Sequence, residues 1–313
     1  MATLKLVKTK GNSLKRLRTL LSGEGVFGIL LAVPALLAVF ILVFVPFINS
    51  LLLSFQRHDL ARPQNDAFIG LGNYINLLVD PRYLGSLKAS AIFSLVSVAF
   101  ELVLGIGIAL VLNKAFIGQG FVRGLIILPW AMPAVVNAAM WKWIFNADYG
   151  ALNALVTQLG IVQEYQIWLA HPVSAMALLI LANVWKETAF TAILVLAALQ
   201  GIPDVFYESA RVDGASTWRQ FLHITLPMIA PVIMVAGLLQ IIWGFHHPFE
   251  LAYIITGGGP YSTTELIPLR IYAQTFRSLR FGYGASIAYL TSLLLMIPAV
   301  FYIRYAYKKI VEY

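Results

Sequence analysis

Chemistry can sit in only a few places in this sequence. Glu101, Asn183, Lys186 and Glu187 interrupt long apolar runs, and the last three form the densest polar cluster in any of them. Such residues are expensive in hydrocarbon and face a bundle interior, one another or water. Two roles fit them. Their carboxylate, amide and ammonium groups can bind the hydroxyls of a polar solute along a hydrated pathway, with Trp185 and Trp243 offering ring faces. Alternatively they pair structurally and hold helix register, the simpler role for Glu101. Lys186 and Glu187 are neighbours, so on a helix they leave the axis about 100° apart. Each is therefore expected to need a partner elsewhere, or water. Lys142, near the end of its apolar run, is expected to snorkel.

Other chemistries are excluded or poorly supported. Gly257-Gly-Gly-Pro260 lacks the Gly-Lys-Ser/Thr that completes a phosphate-binding loop. His246 and His247 are adjacent and point apart, with no third ligand at a suitable spacing, so no metal is expected. There is no cysteine, which removes disulfides, thiolate sites and a thiol nucleophile. No Ser–His, paired-Asp or His–Glu constellation stands at matching depth. No catalytic residue and no cofactor are expected, and the chain reads as a non-enzyme.

The elements that position these residues follow from composition. Of 313 residues, 60% are hydrophobic and 12% are charged. The mean hydropathy is +0.81. Soluble domains carry roughly 25% charged residues, so this chain could not cover a globular surface. At roughly 20 apolar residues per span, it has room for about six transmembrane helices. The reading is all-α and polytopic: a basic tail over 1–25, then a transmembrane domain over 26–313. The spans fall at about 26–50, 86–112, 122–145, 173–199, 227–247 and 282–304. Pro129 and Pro133 lie inside the third and Pro231 inside the fifth. The first apolar run is too long for the core of a cleaved signal peptide.

The net charge is +8. Cytoplasmic segments of membrane proteins carry excess Lys and Arg. With the N-terminus inside, thirteen Lys and Arg residues fall on inner segments and six on outer ones. The 146–172 loop has none and belongs outside. Both termini are then cytoplasmic, in a multi-pass protein of the cell membrane, and nothing requires a nucleic-acid partner.

The inner loop over 200–226 holds the remaining chemistry. Pro203 and Asp204 suit the start of a helix. Glu208 and Arg211, three apart, can pair. Asp213-Gly214 is a turn signal. Thr217 and Gln220 fit a capping box for a second helix. Trp218, Phe221, Leu222 and Thr225 share a face. This describes either a hairpin lying on lipid heads or an element that docks a partner. The small residues Ser209, Ala210, Gly214 and Ala215 favour docking.

The run Glu208-Ser209-Ala210-Arg211-Val212-Asp213-Gly214-Ala215, followed by Phe221, Ile224, Leu226-Pro227 and Pro231, resembles the EAA motif of permease subunits of binding-protein-dependent ABC importers. Ser209 stands where Ala is usual. Phe68-Ile-Gly-Leu-Gly-Asn-Tyr74, Arg123 with Leu128-Pro129 and Pro133, Trp143-Ile-Phe, Gly150-Ala-Leu-Asn153, Trp185-Lys186, and Thr256-Gly-Gly-Gly-Pro260 with Ser262-Thr263 and Ile271-Tyr272 resemble the carbohydrate-uptake branch. Pro248-Phe249-Glu250 departs from the Phe-Asp of relatives. The resemblance implies that the 200–226 loop forms coupling helices seated on a cytoplasmic ATPase dimer. It also implies a second permease subunit, an extracytoplasmic solute-binding protein that meets the outer loops, and a sugar as substrate. Another polar solute such as glycerol-phosphate remains open. A secondary transporter would show inverted repeats and paired broken helices, and none is found.

Overall fold

The computed structural model describes residues 23–311, so the basic tail expected over 1–25 lies almost wholly outside the described residues. The chain divides into two units, Met1–Leu53 and Ser54–Tyr313. The first unit presents one apolar rod: α1 (Gly23–Val39), a wider π-type turn over Phe40–Phe44, and α2 (Val45–Ser54). Its large side chains, including Leu30, Leu42 and Phe47, are exposed.

In the second unit, two short strands, β1 (Gln56–Arg57) and β2 (Ala67–Phe68), pair antiparallel. Helix α3 (Gly72–Val79) leads to the long α4 (Pro81–Asn113). Asp80 caps α4 by accepting the Arg82 amide at 2.9 Å, and Pro81 sits at a first-turn position where its missing N–H costs nothing. Then come α5 (Gln119–Ala131), α6 (Ala134–Ile144), α7 (Ala151–Gln158) and α8 (Pro172–Gln200). The hairpin helices α9 (Asp204–Val212) and α10 (Thr217–Gln220) follow, with a second π-type turn over Phe221–Thr225. The chain ends in α11 (Leu226–His246), α12 (Phe249–Ile255), α13 (Ile267–Tyr272), a third π-type turn over Ala273–Arg277, and α14 (Phe281–Val311).

Among the described residues, five helices are long and apolar enough to cross a membrane, and a bent pair supplies the sixth crossing. The third span is therefore not one helix. It breaks between α5 and α6 with a 92° bend. The break falls at Met132-Pro133, where Met132 is extended at φ −71°, ψ 133°. Proline has no N–H to continue the ladder, and its ring disfavours the helical conformation for the residue before it. Packing shows that the pair still carries the chain across. Helix α4 ends where Leu112 packs with Leu199, Ile202 and Ile229. Helix α8 begins beside Pro81 and Arg82, at the opposite end. Residues 114–171 must connect the two ends.

The centre of the bundle is α4 against α8, flanked by α11. Their backbones approach closely: a Cβ on Gly105 would stand 2.6 Å from Thr191 Cγ2, and one on Gly244 would stand 2.5 Å from Ser94 Oγ. Small residues allow this contact between spans, where lipid gives no hydrophobic drive for helices to associate. Ser94 Oγ donates to the Ile241 carbonyl at 3.0 Å, and Tyr302 Oη donates to that of Met234 at 2.9 Å. Three apolar clusters fill the interior, around Phe93 and Leu179, around Val195 and Ile229, and around Leu77 and Ile287.

Candidate functional site

A cavity of about 390 Å³ lies among α6, α8 and the C-terminal end of α11. Its wall includes Asn137, Asn183, Lys186, Glu187, Gln240 and Trp243, with His246, His247 and Glu250 toward one end. Lys186 stands midway along α8, about 21 Å from its start at the 1.5 Å helical rise. The cavity therefore runs from mid-span toward the end remote from the hairpin.

The polar groups of the wall are held by contacts between helices. Asn183 Nδ2 donates to Glu101 Oε1 at 2.8 Å, which joins α8 to α4. Glu101 is only 1% exposed and stands behind the wall. This contact also fixes helix register, the role its isolated position suggested. Gln240 Nε2 donates to the Glu187 carbonyl at 3.2 Å and to Thr191 Oγ1 at 3.3 Å, joining α11 to α8. Lys186 and Glu187 do meet, against the sequence expectation: Lys186 Nζ lies 2.8 Å from Glu187 Oε1. Their Cβ directions diverge, but the four-carbon lysine stem is long enough to swing round to its neighbour.

Four of the five residues expected to share a pathway, Asn183, Lys186, Glu187 and Trp243, line this one cavity. Trp185 does not; its ring stands edge-on to Trp141, centroids 5.8 Å apart. Trp243 is itself partly covered, stacked against His247 at 5.8 Å and tilted on Phe190 at 4.8 Å. Sequence reasoning passed over Asn137 and Gln240. Each is a single uncharged amide inside an otherwise apolar helical run, a weaker signal than a charge but a readable one.

The hairpin is built locally. Helix α9 closes on Gly214 at φ +73°. The Gly214 amide donates to the Arg211 carbonyl at 3.1 Å and the Ala215 amide to that of Ala210 at 2.9 Å. These are the two bonds of a Schellman cap, and glycine takes the left-handed position without Cβ strain. Glu208, Ser209, Arg211, Asp213 and Gly214 are exposed, Ala210 and Ala215 half-buried. No ion pair joins Glu208 to Arg211 among the described residues. The apolar side chains of Val205, Phe206 and Val212 are exposed beside them. The second helix is capped one residue earlier than expected. Ser216 Oγ accepts the Arg219 amide at 3.4 Å, while Gln220 Nε2 donates to the Ala215 carbonyl. This helix then runs through the π-type turn into α11 without a stop at Pro227. Tyr207 and Thr225 hydroxyls meet at 2.9 Å, tying α9 to that turn.

At the opposite end, Asp80 Oδ2 accepts Tyr283 Oη at 2.8 Å and Arg270 Nη2 at 3.1 Å. Arg270 also approaches Glu265 at 3.6 Å. Burial pushes the Asp80 carboxyl up, but bonds from Tyr283, the Arg82 amide and Arg270 outweigh it. The group is held below its ordinary value. Among the described residues, no group of three or more His, Cys, Asp or Glu side chains could hold a metal ion.

Residues 101–312 match the family of binding-protein-dependent transport system inner membrane components. The chain is 34% identical over 281 residues to the trehalose/maltose transport system permease protein MalF of Thermococcus litoralis, covering 90% of this chain and 94% of that protein. It is 33% identical over 282 residues to the sulfoquinovosyl glycerol transport system permease protein SmoG of Agrobacterium fabrum, covering 90% and 91%. A chain in the crystal structure of a bacterial ABC transporter that imports the acidic polysaccharide alginate superposes with a TM-score of 0.80. It is 23% identical, with coverage of 94% of this chain and 99% of that one. The chain belongs to the binding-protein-dependent inner membrane component family. It is a multi-pass permease subunit of a transporter.

Proposed function

We propose that this chain forms half of the translocation pathway of an ABC sugar importer, and that the cavity at Asn183, Lys186, Glu187, Gln240 and Trp243 is part of that pathway. The observation that carries the reading is the cavity itself, polar walls at mid-span between closely packed helices. The sugar is supported by the relatives, one of which is a trehalose/maltose transport system permease protein.

The 204–225 hairpin is the coupling element in this proposal. Its exposed Glu208, Ser209, Arg211, Asp213 and Gly214, with Val205, Phe206 and Val212 beside them, suit a groove on a cytoplasmic ATPase dimer. Ala210 and Ala215 allow close approach. The second permease half is a different chain, and an extracytoplasmic binding protein delivers sugar to the opposite end. The ATPase subunits carry out ATP hydrolysis. This chain contributes two conformations that its partners stabilise differently, the only means by which a partner shifts an equilibrium. The Tyr207–Thr225 contact and the continuous helix through α11 give hairpin motion a rigid route toward Gln240 and Trp243.

Glu187→Ala in the assembled transporter tests the pathway. Sugar uptake should fall severalfold while all subunits still co-purify. Wild-type uptake by this variant would remove Glu187, and with it the cavity, from the pathway.

A further inference from the structure

The cavity wall shows an imbalance of hydrogen-bonding capacity. The Asn183 amide is oriented by Glu101, so its N–H group faces away and its oxygen is left for the cavity. The Gln240 amide is oriented by the Glu187 backbone carbonyl, which can only accept. Its oxygen too is left over. Asn137 is 3% exposed, and its Oδ1 is buried without any hydrogen-bond partner. Glu187 and Glu250 add carboxylate acceptors. Lys186, the wall's lysine, spends one of its three N–H groups on Glu187 at 2.8 Å. Besides its two histidines, the wall carries two carboxylates against one ammonium.

We propose that this wall selects an uncharged, hydroxyl-rich sugar and rejects sugars carrying carboxylate, sulfonate or phosphate groups. The proposal rests on the reading of the cavity as pathway. A hydroxyl can donate as well as accept, so an acceptor-rich wall is matched by the O–H groups of a neutral sugar. An anionic group brings acceptors only and meets Glu187 and Glu250, a like-charge juxtaposition that suppresses a wrong ligand. Glu101 is a positioning residue in this scheme. It touches no solute, but it decides which end of the Asn183 amide the solute meets.

The test uses the intact transporter in nanodiscs, with both permease subunits and the ATPase but without the binding protein, whose own preference would mask the wall. Trehalose and a mannuronate disaccharide are titrated, and tryptophan fluorescence is read. Trp243→Phe identifies the part of the signal that comes from the cavity. Trehalose should bind at least about tenfold more tightly than the uronate, a discrimination of the size that unpaired or opposed polar groups produce. The double variant Glu187→Gln with Glu250→Gln should narrow that ratio, and Glu101→Leu, which frees the Asn183 amide to turn, should narrow it less. A ratio near one, carried by the Trp243-dependent signal, overturns the selectivity proposal and leaves the pathway standing. Sugar signals that survive Trp243→Phe and are unchanged in every wall variant, or no signal from either sugar, overturn the pathway reading and this proposal together.

Discussion

In the hairpin, Glu208, Arg211 and Asp213 lie exposed, and Glu208 and Arg211 do not pair. At the cavity, Glu101, Asn183, Lys186, Glu187 and Gln240 are all tied to one another or to backbone across α4, α8 and α11. The two regions use their polar residues differently. Free polar groups beside exposed Val205, Phe206 and Val212 suit a surface completed by another protein. Interlocked polar groups suit a site that must keep its shape without one. Loss of a hairpin side chain should therefore alter coupling and leave folding untouched. Loss of a cavity side chain should disturb its neighbours as well.

Substitutions can break this contrast. Gly214→Pro removes the amide that donates to Arg211 and cannot adopt φ +73°. Sugar-stimulated ATP turnover should be lost while membrane insertion persists, and Glu208→Lys should do the same through charge alone. Unchanged turnover and unchanged co-purification of the ATPase in both variants would sink the coupling assignment. Next in size, Glu101→Leu leaves the Asn183 amide unpaired inside the bundle, which costs about 1–3 kcal/mol. Thermal unfolding of the purified transporter measures that loss. Glu101→Leu and Asn183→Leu together should cost less than the sum of the singles, because they share one bond. Glu208→Lys combined with Glu101→Leu should be additive in unfolding. Additivity within the cavity pair would erase the difference between the regions.

Gly105→Ala sharpens the comparison from the packing side. Its new Cβ would lie 2.6 Å from Thr191 Cγ2, and such overpacking costs about 1–3 kcal/mol. Thr191 also holds Gln240, so uptake should fall along with stability. The smallest effect concerns pH. The Asp80 carboxyl titrates below its ordinary 3.8 in the folded chain. Its bonds to Tyr283 and Arg270 therefore stabilise the fold at pH above that ordinary value. That stability is lost as pH falls through the lower, folded-state value. The stability gap between wild type and Asp80→Asn should stay constant through mildly acidic pH and close only below the ordinary carboxylate range. A gap that closes above that range would contradict the network.

Much of this was legible in the sequence, for local reasons. Gly214 at a helix end acts through bonds a few residues long. The failures were also physical. Pro133 is placed inside one continuous third span, yet it turns the chain by 92° because Met132 before it is driven out of the helical region. The N-cap at Ser216 was misplaced by one residue, since Ser and Thr stand side by side and either can cap. Trp185 is expected from its residue type to offer a ring face to the pathway. A helix points neighbours in different directions, and Trp185 packs on Trp141. Asn73 and Asn153, which stood in family-like stretches, pin loop backbone. Asn73 Nδ2 donates to the Ser54 and Gln56 carbonyls, and Asn153 Oδ1 accepts from Gln166 and Trp168.

The sequence by itself determined that the chain lives in a bilayer and where its hairpin turns. Apolar length and capping are properties of neighbours along the chain. Only the tertiary structure decided which polar residues share a cavity and which ends of their amides face it. Those choices depend on the Glu101–Asn183 and Glu187–Gln240 contacts, between residues 82 and 53 positions apart. Such bonds form only when α4, α8 and α11 pack closely enough to exclude every other partner.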